Sequence, residues 1–127
     1  MIFFPVRLNE GHDARMGGIE YHVNGEWYSI CDKGFDDNAA KVTCKSLGNN
    51  YTDGLAIRGS AFGKIKGKTL ISDLRCTGKE SDLSECHMKF NQTKCTMYAS
   101  VYCSNSTIEK KGKITLVVTQ PLKRKVR

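Results

Sequence analysis

The chain has 127 residues, a formal net charge of +7 and six cysteines, which is the size of one small domain with a tail. No two cysteines are spaced C-x-x-C, and His12, His22 and His87 are scattered rather than paired at ligand spacing, so the composition argues against a zinc site. An even number of cysteines in a chain with a modest core predicts three disulfides and an oxidising compartment.

The positive charge is concentrated at the end of the chain. Residues 5–104 carry thirteen Lys and Arg against twelve Asp and Glu, a balance of +1, whereas residues 105–127 carry seven basic residues against Glu109 alone. The pI of about 9.2 is therefore no argument that the folded part binds nucleic acid. No apolar run is long enough to span a bilayer, and the opening MIFFPV is too short for a signal peptide. We therefore expect the chain to be part of a longer protein.

The first thirty residues alternate in the manner of strands. VRLNEG and GGIEYHVNGEWYSIC are predicted to form strands, because Ile19, Tyr21 and Val23 alternate with polar residues. The Asn24-Gly25 pair is a turn signal, after which Trp27 to Ile30 resumes the strand.

The stretch CDKGFDDNAAKVTCKSLG crowds aspartates and lysines beside two half-cystines and admits two interpretations. Its carboxylates are either ligands for a hard cation or the start of a capped helix. The helix is favoured, with Asp36 or Asp37 as N-cap and Gly48 as the stop. One face of this helix carries residues at i, i+4 and i+7, namely Ala40, Cys44 and Leu47. The cysteine on that face is expected to point inward.

The second half of the chain predicts shorter elements. NNYTDGLAIRGSAFGKIKGK is rich in Gly and Asn and predicts a long loop with a short strand inside it. TLISDLRC predicts a strand, and TGKESDLSEC predicts a short helical turn with Thr77 and Glu80 at capping-box spacing and Leu83 buried. SVYC predicts a last strand that brings Cys103 into the core, and ITLVVT is a further candidate strand after Ser104. The fold class is therefore α+β, a small domain stapled by disulfides.

Three N-x-[ST] sequons agree with an extracellular glycoprotein, at Asn50, Asn91 and Asn105. We expect glycosylation first at Asn50 and Asn105. Asn91 lies between two half-cystines, four residues before Cys95, so early disulfide closure would hide it.

Five ordered anchors resemble the scavenger receptor cysteine-rich (SRCR) domain: GEW, C-D-x-G, C-x-x-L-G, D-L-R-C-T-G-x-E-S-x-L-x-x-C and A-S-V-x-C. The six-cysteine set resembles the group A form, which lacks the extra pair of the eight-cysteine form. The resemblance assigns residues 5–104 to an SRCR-like domain. Residues 1–4 are then an N-terminal remnant, and residues 105–127 a basic linker or tail.

The resemblance implies a curved antiparallel sheet that cradles one α-helix. It also implies one of the fifteen possible cysteine pairings: Cys31–Cys95, Cys44–Cys103 and Cys76–Cys86. On the chain-entropy model each bridge stabilises the fold by about 3 to 4.5 kcal/mol, so reduction is expected to unfold the domain.

Domains of this family are non-catalytic binding modules of receptor ectodomains and secreted innate-defence proteins. The sequence itself has no nucleophile elbow, HExxH motif, P-loop or catalytic Cys-His pair, so we expect neither an enzyme nor a cofactor. The main hypothesis is a scavenger-receptor-like module, secreted or on the extracellular face of a membrane protein, that binds polyanionic or microbial-surface ligands. The alternatives are a protein–protein adhesion ectodomain and a regulatory appendage of a multidomain secreted enzyme.

Several side chains are candidate ligand contacts, each with a plainer interpretation. Lys64, Lys66 and Lys68 alternate and would project to one side of an extended segment, although solvated loop lysines are the favoured interpretation. Trp27 and Phe35 lie near half-cystines, which favours core packing over ligand contact.

Several relatives bind calcium through an acidic cluster, and here that cluster is degraded. Asp32 keeps its first position but Lys33 replaces the second, and Asp73 survives where Ser72 replaces its neighbour. Met97 and Tyr98 stand where further acids are usual. Calcium takes six to eight oxygen ligands, so we expect no metal site. Lys33 and Lys94 are then expected to contact anions directly.

The end of the tail, PLKRKVR, has three interpretations. It is a basic surface arm, a furin-type R-x-x-R cleavage site at residues 124–127, or the start of a second repeat. In the third case Val126-Arg127 corresponds to the Val6-Arg7 that opens the domain, and the chain belongs to a tandem SRCR array.

Overall fold

One sheet organises the part of the chain that the computed structural model describes, which is residues 5–9, 14–57, 69–92, 95 and 97–109. The described residues form seven strands, one α-helix and one turn of 3-10 helix at Leu83–Glu85. The other elements are β1 (Val6–Asn9), β2 (Met16–Val23), β3 (Glu26–Ile30), α1 (Asp37–Lys45), β4 (Asp53–Ile57), β5 (Thr69–Arg75), β6 (His87–Gln92) and β7 (Ser100–Ser104).

The strand order is β4-β7-β2-β3-β5-β6, with β1 paired to β2. The expected α+β class, a curved sheet with one helix, is confirmed. The sheet is antiparallel except between β3 and β5, where Ile30 pairs with Ile71 in parallel. A parallel pair needs a long crossover, and the connection from β3 to β5 contains α1 and β4.

The expected strands up to Ile30 are present, as are β4 inside the Gly- and Asn-rich stretch, β5 and β7. Strand β6 was not predicted. Its sequence HMKFNQ carries only Met88 and Phe90 as large apolar residues, lies at the edge of the sheet and follows no turn signal. The candidate strand ITLVVT lies outside the described residues.

Helix α1 begins after Asp36, whose carboxylate accepts the N–H of Ala39 at 2.9 Å. The helix ends at Lys45, three residues before the predicted stop at Gly48. Ser46 is still helical, but the N–H groups of Leu47 and Gly48 donate to carbonyls only three residues back, and Gly48 then takes a left-handed φ of 80°. Leu47 therefore lies beyond the helix and is only half-buried.

The predicted helical turn in TGKESDLSEC is shorter and begins later than expected. Its N-cap is Asp82, which accepts the N–H of Ser84 at 2.9 Å, and Leu83 is fully buried. Thr77 does not start a helix. Instead its N–H donates to the Glu80 carboxylate at 2.9 and 3.0 Å, and these bonds lower the pKa of Glu80. The capping-box spacing here closes a turn inside a ten-residue disulfide loop.

The core lies between the sheet and α1. The largest fully buried side chains are Phe35, Ile19, Ile30, Ile71, Leu74, Leu83, Val42 and Val101. Phe35 is in the core as expected. Trp27 is not, because it lies opposite His22 on the sheet face away from Tyr21 and Tyr28.

The structure contains the three disulfides that the resemblance implies, and none of the six cysteines is free. Cys44–Cys103 joins α1 to β7, and both residues are fully buried. Cys31–Cys95 ties the end of β3 to the segment before β7, and Cys76–Cys86 joins the end of β5 to the start of β6.

We predict that peptide mapping of the secreted chain under non-reducing conditions recovers these three cross-linked pairs and no free thiol. Reduction with dithiothreitol is expected to abolish the cooperative unfolding transition, because the bridges connect segments up to 64 residues apart. A different pairing, or a folded reduced chain, would contradict the role assigned to the bridges.

Because α1 lies close to β4, adding one methyl group at Gly54 is expected to destabilise the fold. A Cβ at Gly54 would lie 2.6 Å from Cys44 Sγ and 2.7 Å from the Ala40 carbonyl oxygen. Gly54→Ala is therefore expected to lower the free energy of unfolding by about 1 to 3 kcal/mol in urea denaturation. The exposed Glu26→Ala change in β3 is the control and should stay within about 0.5 kcal/mol of wild type.

Candidate ligand-binding site

The structure describes only some of the residues expected to contact a ligand. Lys33 is exposed in the turn after Cys31. The backbone of Asp32 is fixed, since its N–H donates to Met97 O at 3.1 Å and its carbonyl accepts the N–H of Phe35 at 3.0 Å. Lys64, Lys66, Lys68 and Lys94 lie outside the described residues, as do residues 1–4 and 110–127.

Asp73, the second surviving acid of the degraded cluster, lies among basic side chains. Its carboxylate accepts a hydrogen bond from Arg75 Nε at 2.7 Å and lies 3.6 Å from His87 Nε2 and 3.9 Å from Lys89 Nζ. The bond to Arg75 and the nearby positive charges lower the pKa of Asp73. We call these four residues the Asp73 cluster.

Strand pairing builds the Asp73 cluster. Arg75 on β5 pairs with His87 on β6, and Lys89 follows His87 by two residues on the same face of the strand. The ladder is irregular between Ser72 and Arg75, and Asp73 adopts a left-handed φ of 56° there. This irregularity brings the carboxylate between the basic groups of both strands.

The cluster presents its basic groups outward. The side chain of Arg75 is 71% exposed, whereas that of Asp73 is 25% exposed. The basic side chains of Arg75 and Lys89 face one carboxylate, so the formal local charge is positive before His87 is counted. The sequence did not reveal this cluster because β6 was not predicted. The available signal was the alternation of His87 and Lys89 with Met88 and Phe90.

The donor set does not fit calcium. Asp73 already has three basic neighbours, and a hard cation needs several oxygen ligands free of them. Within the described residues, the one group of three potential metal ligands is Cys76, Cys86 and Glu80. Its two sulfurs form a disulfide and offer no thiolate.

A second cluster lies on β1, β2 and β3. Arg7 Nε donates to Glu20 Oε1 at 2.7 Å, and the guanidinium carbon lies 3.8 Å from the centre of the Trp27 ring. The Asn9 amide also donates to Glu20, which is only 3% exposed, and His22 packs against Trp27. Arg7 therefore stacks on Trp27 while it pairs with the buried Glu20 carboxylate, so Trp27 has a structural role here.

Two of the three sequons lie side by side. Asn50 and Asn105 are both exposed, and the Asn105 amide donates to the carbonyl oxygens of Asn49 and Asn50 at 3.2 Å each. The side chain of Asn91 lies outside the described part of the structure.

Comparison with known proteins identifies relatives. The model of the scavenger receptor cysteine-rich domain matches residues 9–104. Galectin-3-binding protein of Bos taurus is 36% identical over 106 residues, and that of Pongo abelii is 32% identical over 106 residues. The matches cover 80% of this chain but only 19% and 18% of those proteins, so the chain spans about a fifth of their length.

Two solved structures share the fold. The third SRCR domain of murine neurotrypsin is 33% identical with a TM-score of 0.69, covering 84% of this chain and 100% of that chain. The SRCR domain of mouse MARCO, in its dimeric form, is 33% identical with a TM-score of 0.62, covering 70% of this chain and 86% of that chain. Among the described residues, no helix has the length and apolar character needed to cross a membrane.

The buried carboxylate of Glu20 predicts strong coupling to Arg7. Arg7→Gln is expected to lower the free energy of unfolding by about 1.5 to 3 kcal/mol, because the charge of Glu20 loses its cation. Glu20→Gln added to Arg7→Gln should recover part of that loss, since a neutral amide needs no cation.

Urea denaturation of both single variants and the double variant measures the coupling as a double-mutant cycle. Lys33→Gln is the control for loss of one exposed positive charge and should change stability by less than about 0.5 kcal/mol. Additive effects of the two single changes would show that Arg7 and Glu20 are not coupled.

Proposed function

This chain belongs to the scavenger receptor cysteine-rich family, and from that premise we propose that it is a non-catalytic extracellular module that binds polyanionic or microbial-surface ligands. Family membership supports an extracellular recognition module. We further propose that the module is non-catalytic and that it is secreted or lies on the outer face of a membrane protein. The proposed function requires no cofactor.

The observation that carries the ligand class is the set of basic groups around Asp73. The family resemblance implies an acidic cluster that binds calcium and thereby bridges to anionic ligands. At Asp73, one of the two acids that survive in this chain, the positive charge comes from Arg75 and Lys89 instead. An anion can therefore bind to basic side chains directly, without a metal bridge.

Further lysines are proposed to extend this contact to a polymeric ligand. Lys33 is exposed and stands beside Asp32, in the turn that follows β3. Lys64, Lys66, Lys68 and Lys94 are proposed on their sequence positions alone. The basic tail adds sequence-independent attraction, so polymer binding is expected to have a salt-dependent component.

Protein–protein adhesion is the rival function, favoured by the balance of only +1 over residues 5–104. A shallow open groove of about 420 Å³ is lined by apolar side chains, Val23, Met88 and Phe90 among them, and by the polar Ser84 and His87, which suits a mixed protein contact. The relatives are named for binding another protein, galectin-3. A specific adhesion interface would tolerate salt, whereas polyanion binding would not.

We predict that the chain binds immobilised heparin, that soluble dextran sulfate competes, and that affinity falls steeply between 50 and about 300 mM salt. Binding should survive EDTA, and calorimetry with millimolar calcium should show no heat. The neutral polymer dextran is the matched competitor and should have no effect.

Two results would contradict this proposal. A calcium dissociation constant well below a millimolar, abolished by Asp32→Ala, would establish a metal-bridged mode. Absence of heparin binding together with salt-tolerant capture of a protein partner would establish the adhesion function instead.

A further inference from the structure

The Asp73 cluster has hydrogen-bonding capacity that its own carboxylate does not use. Arg75 meets Asp73 through Nε, and within the described residues no acceptor is bonded to its two terminal nitrogens. The contacts from His87 and Lys89 are 3.6 and 3.9 Å long, beyond hydrogen-bonding distance. All three basic residues therefore keep donors for another acceptor.

These donors lie on one exposed face. Arg75 and His87 are paired across β5 and β6, and Lys89 lies two residues further along β6. Their side chains are 71%, 59% and 59% exposed. The Cys76–Cys86 bridge joins the ends of the two strands immediately beside this pair, which limits sliding of one strand past the other. The backbone positions that carry the three donors are thus held in register by the bridge.

We propose that Arg75, His87 and Lys89 form a binding site for a tetrahedral oxyanion, a sulfate or phosphate ester carried on a larger polyanion. The inference rests on the proposed function and locates its anion contact. A guanidinium edge binds two oxygens of such a group at once, and the ammonium supplies a further point charge. The Asp73 carboxylate attracts the three basic side chains to one place. A bound ester would compete with this carboxylate for their hydrogen bonds and positive charge.

The net charge of the cluster indicates how much negative charge the ligand should carry. Arg75 and Lys89 against Asp73 leave a net charge of about +1, and protonated His87 makes it about +2. An ester with one or two negative charges neutralises this surplus. A neutral sugar would not neutralise this surplus charge, so we expect no binding of a neutral sugar at the site.

Affinity measurements on single variants of the full chain test the site. Arg75→Gln and Lys89→Gln should each weaken binding to a sulfated or phosphorylated polymer on the order of tenfold at about 150 mM salt. Lys41→Gln, on α1, is the matched control because it removes the same charge from a different element. It should change affinity by less than about twofold.

Asp73→Asn provides a change in the opposite direction. Asparagine tolerates the left-handed backbone at this position and keeps an acceptor for Arg75 Nε. Affinity should rise severalfold, because the competing charge is removed. An unchanged affinity would count against the site, since an anion bound at Arg75 must sense that carboxylate.

The basic tail is separated from the site by a residue-resolved measurement. In NMR titrations with a fully sulfated heparin disaccharide, the Arg75 Nε–Hε signal and the imidazole signals of His87 should shift and saturate. Dextran sulfate and dextran phosphate carry the two esters on the same backbone and distinguish a sulfate source from a phosphate source. The polymer whose affinity falls more with Arg75→Gln than with Lys41→Gln names the ester, and a difference for neither overturns the site.

These measurements distinguish failure of the proposed function from failure of this site. If the wild-type chain binds neither polymer, the proposed function is wrong. If it binds but Arg75→Gln and Lys89→Gln lose no more affinity than Lys41→Gln, the function stands and this site is overturned. Circular dichroism and the three intact disulfides confirm that each variant is folded.

Discussion

The contact between α1 and the β4–β7 edge of the sheet is the constraint on which the rest of the structure depends. Cys44 and Cys103, both fully buried, join the helix covalently to β7. Asp37 joins it to β4, accepting the N–H of Ala56 at 2.8 Å. The helix can lie this close because Gly54 has no side chain in the way. With the helix held there, it covers the apolar face of the sheet, and Phe35 is buried in the core between them.

The two other bridges act at the opposite end of the sheet, where β3, β5 and β6 lie side by side. The parallel register of β3 and β5 places the turn after Cys31 near the strand that carries Asp73. Cys76–Cys86 closes β5 onto β6 and determines which side chains face each other across that pair. The helix and the surface cluster are thus held by different cross-links, although β5 contributes Ile71 and Leu74 to the core as well as Asp73 and Arg75 to the cluster.

Local pattern was enough to predict most strands and the helix, because alternation, the Asn-Gly turn and an aspartate cap act over a few residues. It placed the end of α1 a few residues late, because the last turn tightens before Gly48. It placed the cap of the 3-10 turn too early, because Thr77 and Asp82 are both suitable cap residues. The Asp73 cluster could not be predicted from the sequence pattern. It depends on β6 pairing with β5 through an irregular register, and a weakly apolar edge strand leaves little signal. The cysteine pairing came from family resemblance, because six cysteines alone allow fifteen arrangements.

What a carboxylate at the position of Asp73 can bind depends on the side chains that the neighbouring strand supplies. Where further carboxylates surround it, an oxygen-rich site results and attracts a hard cation. In this chain β6 supplies His87 and Lys89, and Arg75 supplies the closest partner. The same carboxylate then organises cations whose unused donors face solvent. The anion site proposed at this edge therefore needs no ion from solution, and its strength would be determined by the side chains of two adjacent strands.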